Sequence, residues 1–190
     1  MESDRRTEKR ALRQRFLARR RGLSTMERRG ADLEILSALG AACGDLAAPG
    51  ADVAAYVPMA DEPGGGDLPE RLRDLGYGVL LPVLLPDDDL AWGRYDGTLV
   101  PGRLKGLLEP PGEAVEFTAA LVIVPALAVA ADGTRLGRGG GSYDRALARV
   151  PAGVPLLALL DEEEFVDALP AEPHDRRVTA VVTPAGHRPL

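Results

Sequence analysis

The sequence predicts an α/β fold, a three-layer α/β/α arrangement around an open, mostly parallel sheet. Three observations carry that reading. Short apolar runs recur at Asp52–Pro58, Gly78–Leu85, Ala120–Pro125, Val154–Asp161 and Arg177–Thr183. Helical patterns separate them, and no tight hairpin turn joins one run to the next. The runs are near-continuously apolar, as strands buried on both faces require. Together they describe a Rossmann-like sheet in one domain spanning residues 1–190.

Taken in order, residues 5–22 (RRTEKRALRQRFLARRRG) form the first expected helix, with Ala11, Leu12, Phe16 and Leu17 as its apolar stripe. Lys9 and Arg13 stand four apart and share a face. Ser24-Thr-Met-Glu27 is a capping box opening a second helix over about 25–42, with Leu33, Leu36 and Leu39 inward. Asp52–Pro58 is the first strand, and Asp67 with Glu70 caps a short helix over Leu68–Leu75. Gly78–Leu85 is the next strand, with Pro82 marking an edge, a bulge or its end. Leu90–Tyr95 reads as an antiparallel strand, and 96–115, rich in Gly and Pro, as ordered loop. Ala120–Pro125 is a strand, and Ala126–Asp132 leads into a glycine-rich stretch followed by a helix from Tyr143 to Arg149. The Val154–Asp161 strand, a short helix over Glu162–Asp167, a turn at Pro170–His174 and the Arg177–Thr183 strand complete the chain.

The chemistry concentrates in Thr134–Arg145, TRLGRGGGSYDR. Gly137, Gly139, Gly140 and Gly141 let bare backbone N–H groups approach an anion. The helix start behind them adds unpaired donors and the positive end of a dipole. Arg135 and Arg138 can grip phosphate oxygens in pairs, and Asp144 offers carboxylate oxygens to a metal. No lysine makes this a Walker loop, and about eleven residues separate the apolar run from the first relevant glycine, too many for a dinucleotide fingerprint. Glycine richness alone also fits a surface loop. The interleaved arginines and abrupt helix start favour an anion site.

Composition narrows the class. A hydrophobic content of 45% and a charged content of 27% are globular values. The single cysteine, Cys43, excludes an intramolecular disulfide framework and reads as helix packing in a reducing compartment. No apolar run is long enough to span a bilayer and the charged N-terminus is no signal peptide, so a cytoplasmic protein is expected. The net charge of −6 is uneven: residues 1–30 carry +7 and the remainder −13. A basic arm on an acidic body suits a polyanion, either nucleic acid or nucleotide phosphates, although solvated helix faces account for most such arginines.

The stretch RLGRGGGSYDR resembles the signature of the 5-formyltetrahydrofolate cyclo-ligase family, also called 5,10-methenyltetrahydrofolate synthetases. Three further blocks agree in order: Lys9–Arg13 with the following LSTMERR, Tyr56–Glu62 (YVPMADE), and His174–Thr183 (HDRRVTAVVT). The resemblance implies ATP-dependent ring closure of 5-formyltetrahydrofolate to 5,10-methenyltetrahydrofolate through a phosphorylated formyl group, with ATP as co-substrate and Mg²⁺. It places Lys9, Arg13, Arg135, Leu136, Gly137, Arg138, Gly139, Gly140, Gly141 and Tyr143 on ATP. It places Val57, Glu62, Gly139, Gly141, Ser142 and Tyr143 on the folate, with Arg138 and Tyr143 nearest the chemistry and Asp144 on the metal. A monomer working on small molecules is expected, without membrane or nucleic-acid partners. By themselves Lys9 and Arg13 are ordinary surface charges, Glu62 a turn residue and Asp144 a first-turn helix carboxylate.

Three positions depart from the family pattern. Thr179 stands where an aspartate commonly helps hold the metal, and Ser142-Tyr143 replaces a usual pair of tyrosines. Pro125-Ala-Leu-Ala-Val-Ala130 replaces P-G-x-x-F-D. Two rival readings follow: a family member that binds its ligands but turns over little, and an RNA-binding module using the basic arm. The second is weakened by an aromatic content of 4%, with only Phe16 in that arm to stack on bases.

Overall fold

In the computed structural model, which describes residues 2–172 and 175–190, the chain opens with two long helices, α1 (Glu2–Gly22) and α2 (Thr25–Leu46). Ser24 starts the second as its sequence predicts. Glu27 N donates to the Ser24 hydroxyl at 3.2 Å, and Ser24 N donates back to the Glu27 carboxylate at 2.8 Å. α2 buries Ile35, Leu39, Ala42 and Cys43; Leu33, expected inward, is 64% exposed because the buried stripe runs through Ile35 instead. Burial pushes the Cys43 thiol up to about 12, the behaviour of a packing residue. In α1 the inward residues are Phe16 and, unexpectedly, Arg20, while Ala11 is exposed.

The sheet is assembled from β1 (Asp52–Ala54), β2 (Gly78–Leu84), β3 (Leu90–Arg94), β6 (Leu121–Val124), β9 (Leu156–Leu159), β11 (Ala180–Thr183) and β12 (Gly186–Pro189). Their order is β12-β11-β9-β6-β1-β2-β3. The inner strands are mutually parallel, and β3 and β12 close the two edges antiparallel. β1 pairs only with Gly78–Leu80, so Pro82 lies where β2 is open on one side and its missing N–H costs no ladder bond.

Alternation along the strands builds two cores. Val53, Leu121, Ile123, Leu157, Leu159 and Val182 face α2 and α3 (Leu68–Asp74). Ala54, Val122, Val124, Leu156, Ala158 and Val181 face Leu147 and Val150 at the end of α4 (Ser142–Arg149). Both faces are covered, which is why the strands carry so little polarity. The three-layer, mostly parallel arrangement matches the sequence expectation.

Several elements differ from it. Residues 96–115 contain a two-stranded hairpin, β4 (Val100–Pro101) with β5 (Leu108–Glu109). Ala126–Asp132 is not a plain lead-in: β7 (Ala128–Ala130) pairs with β8 (Arg135–Leu136) and with β10 (Phe165–Val166) in a second small sheet. The helix expected over Glu162–Asp167 is a single 3-10 turn, Glu162–Glu164, leading straight into β10. Asp67 sits at the start of α3 without a side-chain cap, and Pro69 in the first turn removes one N–H group that would otherwise need an acceptor. The last expected strand begins at Ala180 rather than Arg177, and β12 follows it. The turn expected at Pro170–His174 lies partly outside the described residues. Among the described residues no helix is long and apolar enough to cross a membrane.

Candidate functional site

A cavity of about 380 Å³ opens at the carboxyl ends of β1, β2 and β6. This is where open parallel sheets place ligands, because the strands stop and successive loops diverge. Its floor is the glycine-rich loop between β8 and α4, and the β1 loop forms the facing wall. The third side is apolar, made by Pro82, Leu84 and Leu90 of the β2–β3 region and by Leu104, Leu107 and Leu108 of the β4–β5 hairpin.

The glycine loop takes its shape from two residues in the left-handed region, Gly139 at φ 98° and Gly141 at φ 76°. A Cβ at Gly139 would meet the Arg13 guanidinium at 3.2 Å. Gly141 caps α4 with no side-chain acceptor over the first-turn N–H groups, so those donors remain for a ligand. Arg145 Nη2 donates to Asp88 O at 2.7 Å, and Arg149 pairs with Asp89 at 2.6 Å, which fixes α4 to the β2–β3 turn. The basic letters of that helix therefore include braces that the sequence did not distinguish from ligand contacts.

Each arginine of the loop is oriented by an acid or a carbonyl. Arg138 Nε donates to Glu62 at 2.9 Å and its Nη2 to Asp61 at 2.6 Å, joining the loop to the β1 wall. Glu62 is 6% exposed, and its second oxygen accepts from Met59 N at 3.0 Å. Arg135 donates to Pro125 O at 3.1 Å and pairs with Asp144. Arg13 Nε donates to Gly137 O at 2.9 Å, so α1 touches the back of the loop. Lys9 stands one turn away, bridging Glu172 at 3.2 Å and Asp175 at 3.4 Å.

Tyr143 is half-buried on the cavity wall, with its hydroxyl enclosed and lacking a partner among the described residues. Burial and the neighbouring Glu62 charge push that hydroxyl well above its ordinary range, so it stays protonated as a donor. Its neighbour Tyr56 is fully occupied, donating to Pro63 O at 2.8 Å.

The structure thus brings together Val57, Glu62, Arg135, Gly137, Arg138, Gly139, Gly140, Gly141, Ser142, Tyr143 and Asp144 around one cavity. Leu136 is buried beneath the loop with Phe16 and Leu127. Lys9 and Arg13 lie behind the loop rather than on the cavity surface. Thr179 is elsewhere: its hydroxyl donates to Leu156 O at 3.0 Å and accepts from Leu156 N at 3.1 Å, at the amino ends of β9 and β11. Among the described residues no group of three or more His, Cys, Asp or Glu is arranged to hold a metal. Asp144 offers one carboxylate at the mouth of the loop, which suffices for Mg²⁺ only when substrate phosphates and water complete its shell. The sequence allowed segment 96–115 a part in shaping the pocket but did not assign its residues; the signal for the apolar hairpin wall was the spacing of Leu104, Leu107 and Leu108 inside a segment otherwise rich in Gly and Pro.

Known proteins share both the sequence pattern and the fold. The profile of the 5-formyltetrahydrofolate cyclo-ligase family matches residues 5–184. A 5-formyltetrahydrofolate cyclo-ligase of Mycolicibacterium smegmatis is 44% identical over 145 residues, covering 71% of this chain and 74% of that protein. The solution structure of the Aquifex aeolicus 5,10-methenyltetrahydrofolate synthetase superposes with a TM-score of 0.80 at 28% identity, over 96% of this chain and 92% of that one. A 5,10-methenyltetrahydrofolate synthetase from Mycoplasma pneumoniae shares the fold, with a TM-score of 0.74 at 23% identity over 93% of this chain and 99% of that one. On the match to its profile and to the mycobacterial relative, this chain belongs to the 5-formyltetrahydrofolate cyclo-ligase family.

Proposed function

We propose that the protein converts 5-formyltetrahydrofolate and ATP into 5,10-methenyltetrahydrofolate, ADP and phosphate. The observation that carries the reading is the Arg138 bridge: one guanidinium joins a glycine loop suited to phosphate to a buried carboxylate suited to a heterocycle. Both ligand ends therefore share one cavity.

In this reading the formyl oxygen attacks the γ-phosphorus, and the bond to the ADP oxygen breaks. N10 then closes on the formyl carbon and loses its proton, and the carbon–oxygen bond breaks as phosphate departs. The loop N–H groups from Gly137 to Gly141 and the helix start carry the phosphate charge, with Arg135 and Arg138 beside them. Positioning and charge neutralisation are most of what phosphoryl transfer asks of a protein. Arg13, with Lys9 behind it, holds the loop from outside and adds positive potential. Glu62, desolvated and held by Met59 N, accepts from pterin N–H groups, while Val57, Ser142 and Tyr143 pack on the rings. Asp144 together with the phosphates would hold Mg²⁺, and the ion would supply neutralisation of the phosphate charge.

A family member with little turnover is the second reading, favoured by the Thr179 hydroxyl being spent on Leu156. A nucleic-acid role for α1 has less support, since Arg19 pairs with Asp161 and Glu163 and Arg20 is buried on Glu164. The test is to mix protein, 5-formyltetrahydrofolate, ATP and Mg²⁺ and follow the near-ultraviolet absorbance of the methenyl product. ATP-dependent product supports the proposal. Binding of both ligands without product favours the second reading, and binding of neither contradicts both.

A further inference from the structure

Two of the three walls of the cavity are accounted for by a nucleotide and a heterocycle; the hairpin wall is not. At its tip, between β4 and β5, Lys105 lines the cavity, exposed and without an ion-pair partner among the described residues. The other cations lining the cavity, Arg135 and Arg138, are already held by Asp144, Asp61 and Glu62. Leu104 at 54% exposure and Leu108 at 41% flank the lysine, leaving apolar surface open beside a bare positive charge.

This tip is built into the fold. Arg103 pairs with Asp88 at 2.9 Å, tying the hairpin to the β2–β3 turn. Glu109, 8% exposed, accepts from Leu84 N at 3.0 Å and ties it to β2. A backbone bond from Gly102 N to Leu107 O at 2.8 Å closes the strands, and Leu107 N to Leu104 O at 3.0 Å closes the turn that carries Lys105. The ammonium thus sits on a braced support above an apolar slot.

We infer that Lys105 binds the carboxylate of the glutamate tail of the folate, with the aminobenzoyl ring lying in the slot beside Leu104 and Leu108. The inference rests on the folate reading above and adds to it a residue that selects for the tail. A folate has the matching sequence of parts: a polar bicycle, a flat apolar ring and an anionic end. The cavity lining holds a counterpart for each: buried Glu62, the leucine wall, and Lys105, which has no ion-pair partner among the described residues. Arginines that are already paired make weaker claims on that carboxylate, because a new anion must compete with the acid in place.

The experiment compares two ligands on three proteins by titration calorimetry: the native chain, Lys105→Met and Lys105→Arg. One ligand is 5-formyltetrahydrofolate; the other is its counterpart in which the benzoyl group ends in a neutral amide. For the glutamate ligand, Lys105→Met is expected to raise the dissociation constant about three- to fivefold, the upper range of an exposed ion pair, and Lys105→Arg to restore most of it. For the amide ligand the three proteins are expected to agree within about twofold, and raised salt is expected to narrow the native advantage. An equal loss for both ligands, or no loss for the glutamate ligand, overturns the inference while leaving the folate reading intact. If the native chain binds neither ligand, the folate reading fails and the inference falls with it.

Discussion

Replacing Arg20 with Met tests how the site is held from beneath. Arg20 is 1% exposed and Glu164 is 0% exposed. Arg20 Nε donates to Glu164 Oε1 at 2.6 Å, and Nη2 donates to Glu164 Oε2 at 2.8 Å and to Ala126 O at 2.6 Å. Removing the guanidinium leaves a buried carboxylate with Asp161 N, at 3.0 Å, as its remaining donor. It also leaves the Ala126 carbonyl, on the cavity wall, without its donor. Breaking a buried pair from one side costs about 3–5 kcal/mol, a large share of the roughly 5–15 kcal/mol of a typical domain. With an m-value of about 2 kcal/mol/M in urea, the midpoint should fall by about 2 M.

The pair is imperfect, because Arg20 Nη1 is buried without a partner among the described residues. Removing both charges should therefore cost less than removing one. Arg20→Met with Glu164→Leu is expected to regain at least half of the lost midpoint, since an apolar pair of similar volume replaces desolvated charges. Urea unfolding followed by far-ultraviolet circular dichroism measures both. A single-variant shift below about 0.5 M, or a double variant less stable than the single one, would show that the pair does not hold the site from beneath.

Two further substitutions separate site from scaffold. Gly139→Ala forces a side chain into φ 98° and against Arg13 at 3.2 Å, so ATP affinity should fall at least about tenfold while stability falls by only about 1–2 kcal/mol; nucleotide titration beside urea unfolding decides it. Tyr143→Phe removes an enclosed hydroxyl that bonds nothing among the described residues, so stability should change by less than about 1 kcal/mol. If that hydroxyl serves the ligands, kcat/KM should nonetheless fall about tenfold or more, and unchanged kinetics would remove Tyr143 from the site.

How much of this was legible in the sequence depends on the length of each signal. The inner strands and α2 were visible because several apolar residues in a row, or an apolar stripe with a capping box, exceed what chance composition provides. β7, β8 and β10 span two or three residues, too few for a period-two pattern, although Asp132-Gly133 between β7 and β8 was a usable turn signal. β12 was hidden because an exposed edge strand reading Gly-His-Arg-Pro has no apolar alternation. The glycine loop and its arginines stood out through composition and spacing as the candidate anion site, and the fold sets them on the cavity. Arg20 and Glu164 did not: each lies in a run of like charges, Arg19–Arg21 and Glu162–Glu164, where only the fold reveals which member turns inward. Lys105 was obscured in the same way, inside a segment whose hairpin appears only in three dimensions.

In the proposed reaction one cavity holds the formyl group against a phosphate seated on the glycine loop. That placement is tested most directly by following the formyl oxygen. 5-Formyltetrahydrofolate carrying a heavy-oxygen label in the formyl group is converted with ATP, and the inorganic phosphate is examined by mass spectrometry. Each phosphate released is expected to carry one labelled oxygen, because in the proposed reaction that oxygen attacks the γ-phosphorus and leaves with it. Unlabelled phosphate, with the label recovered in water, would contradict it.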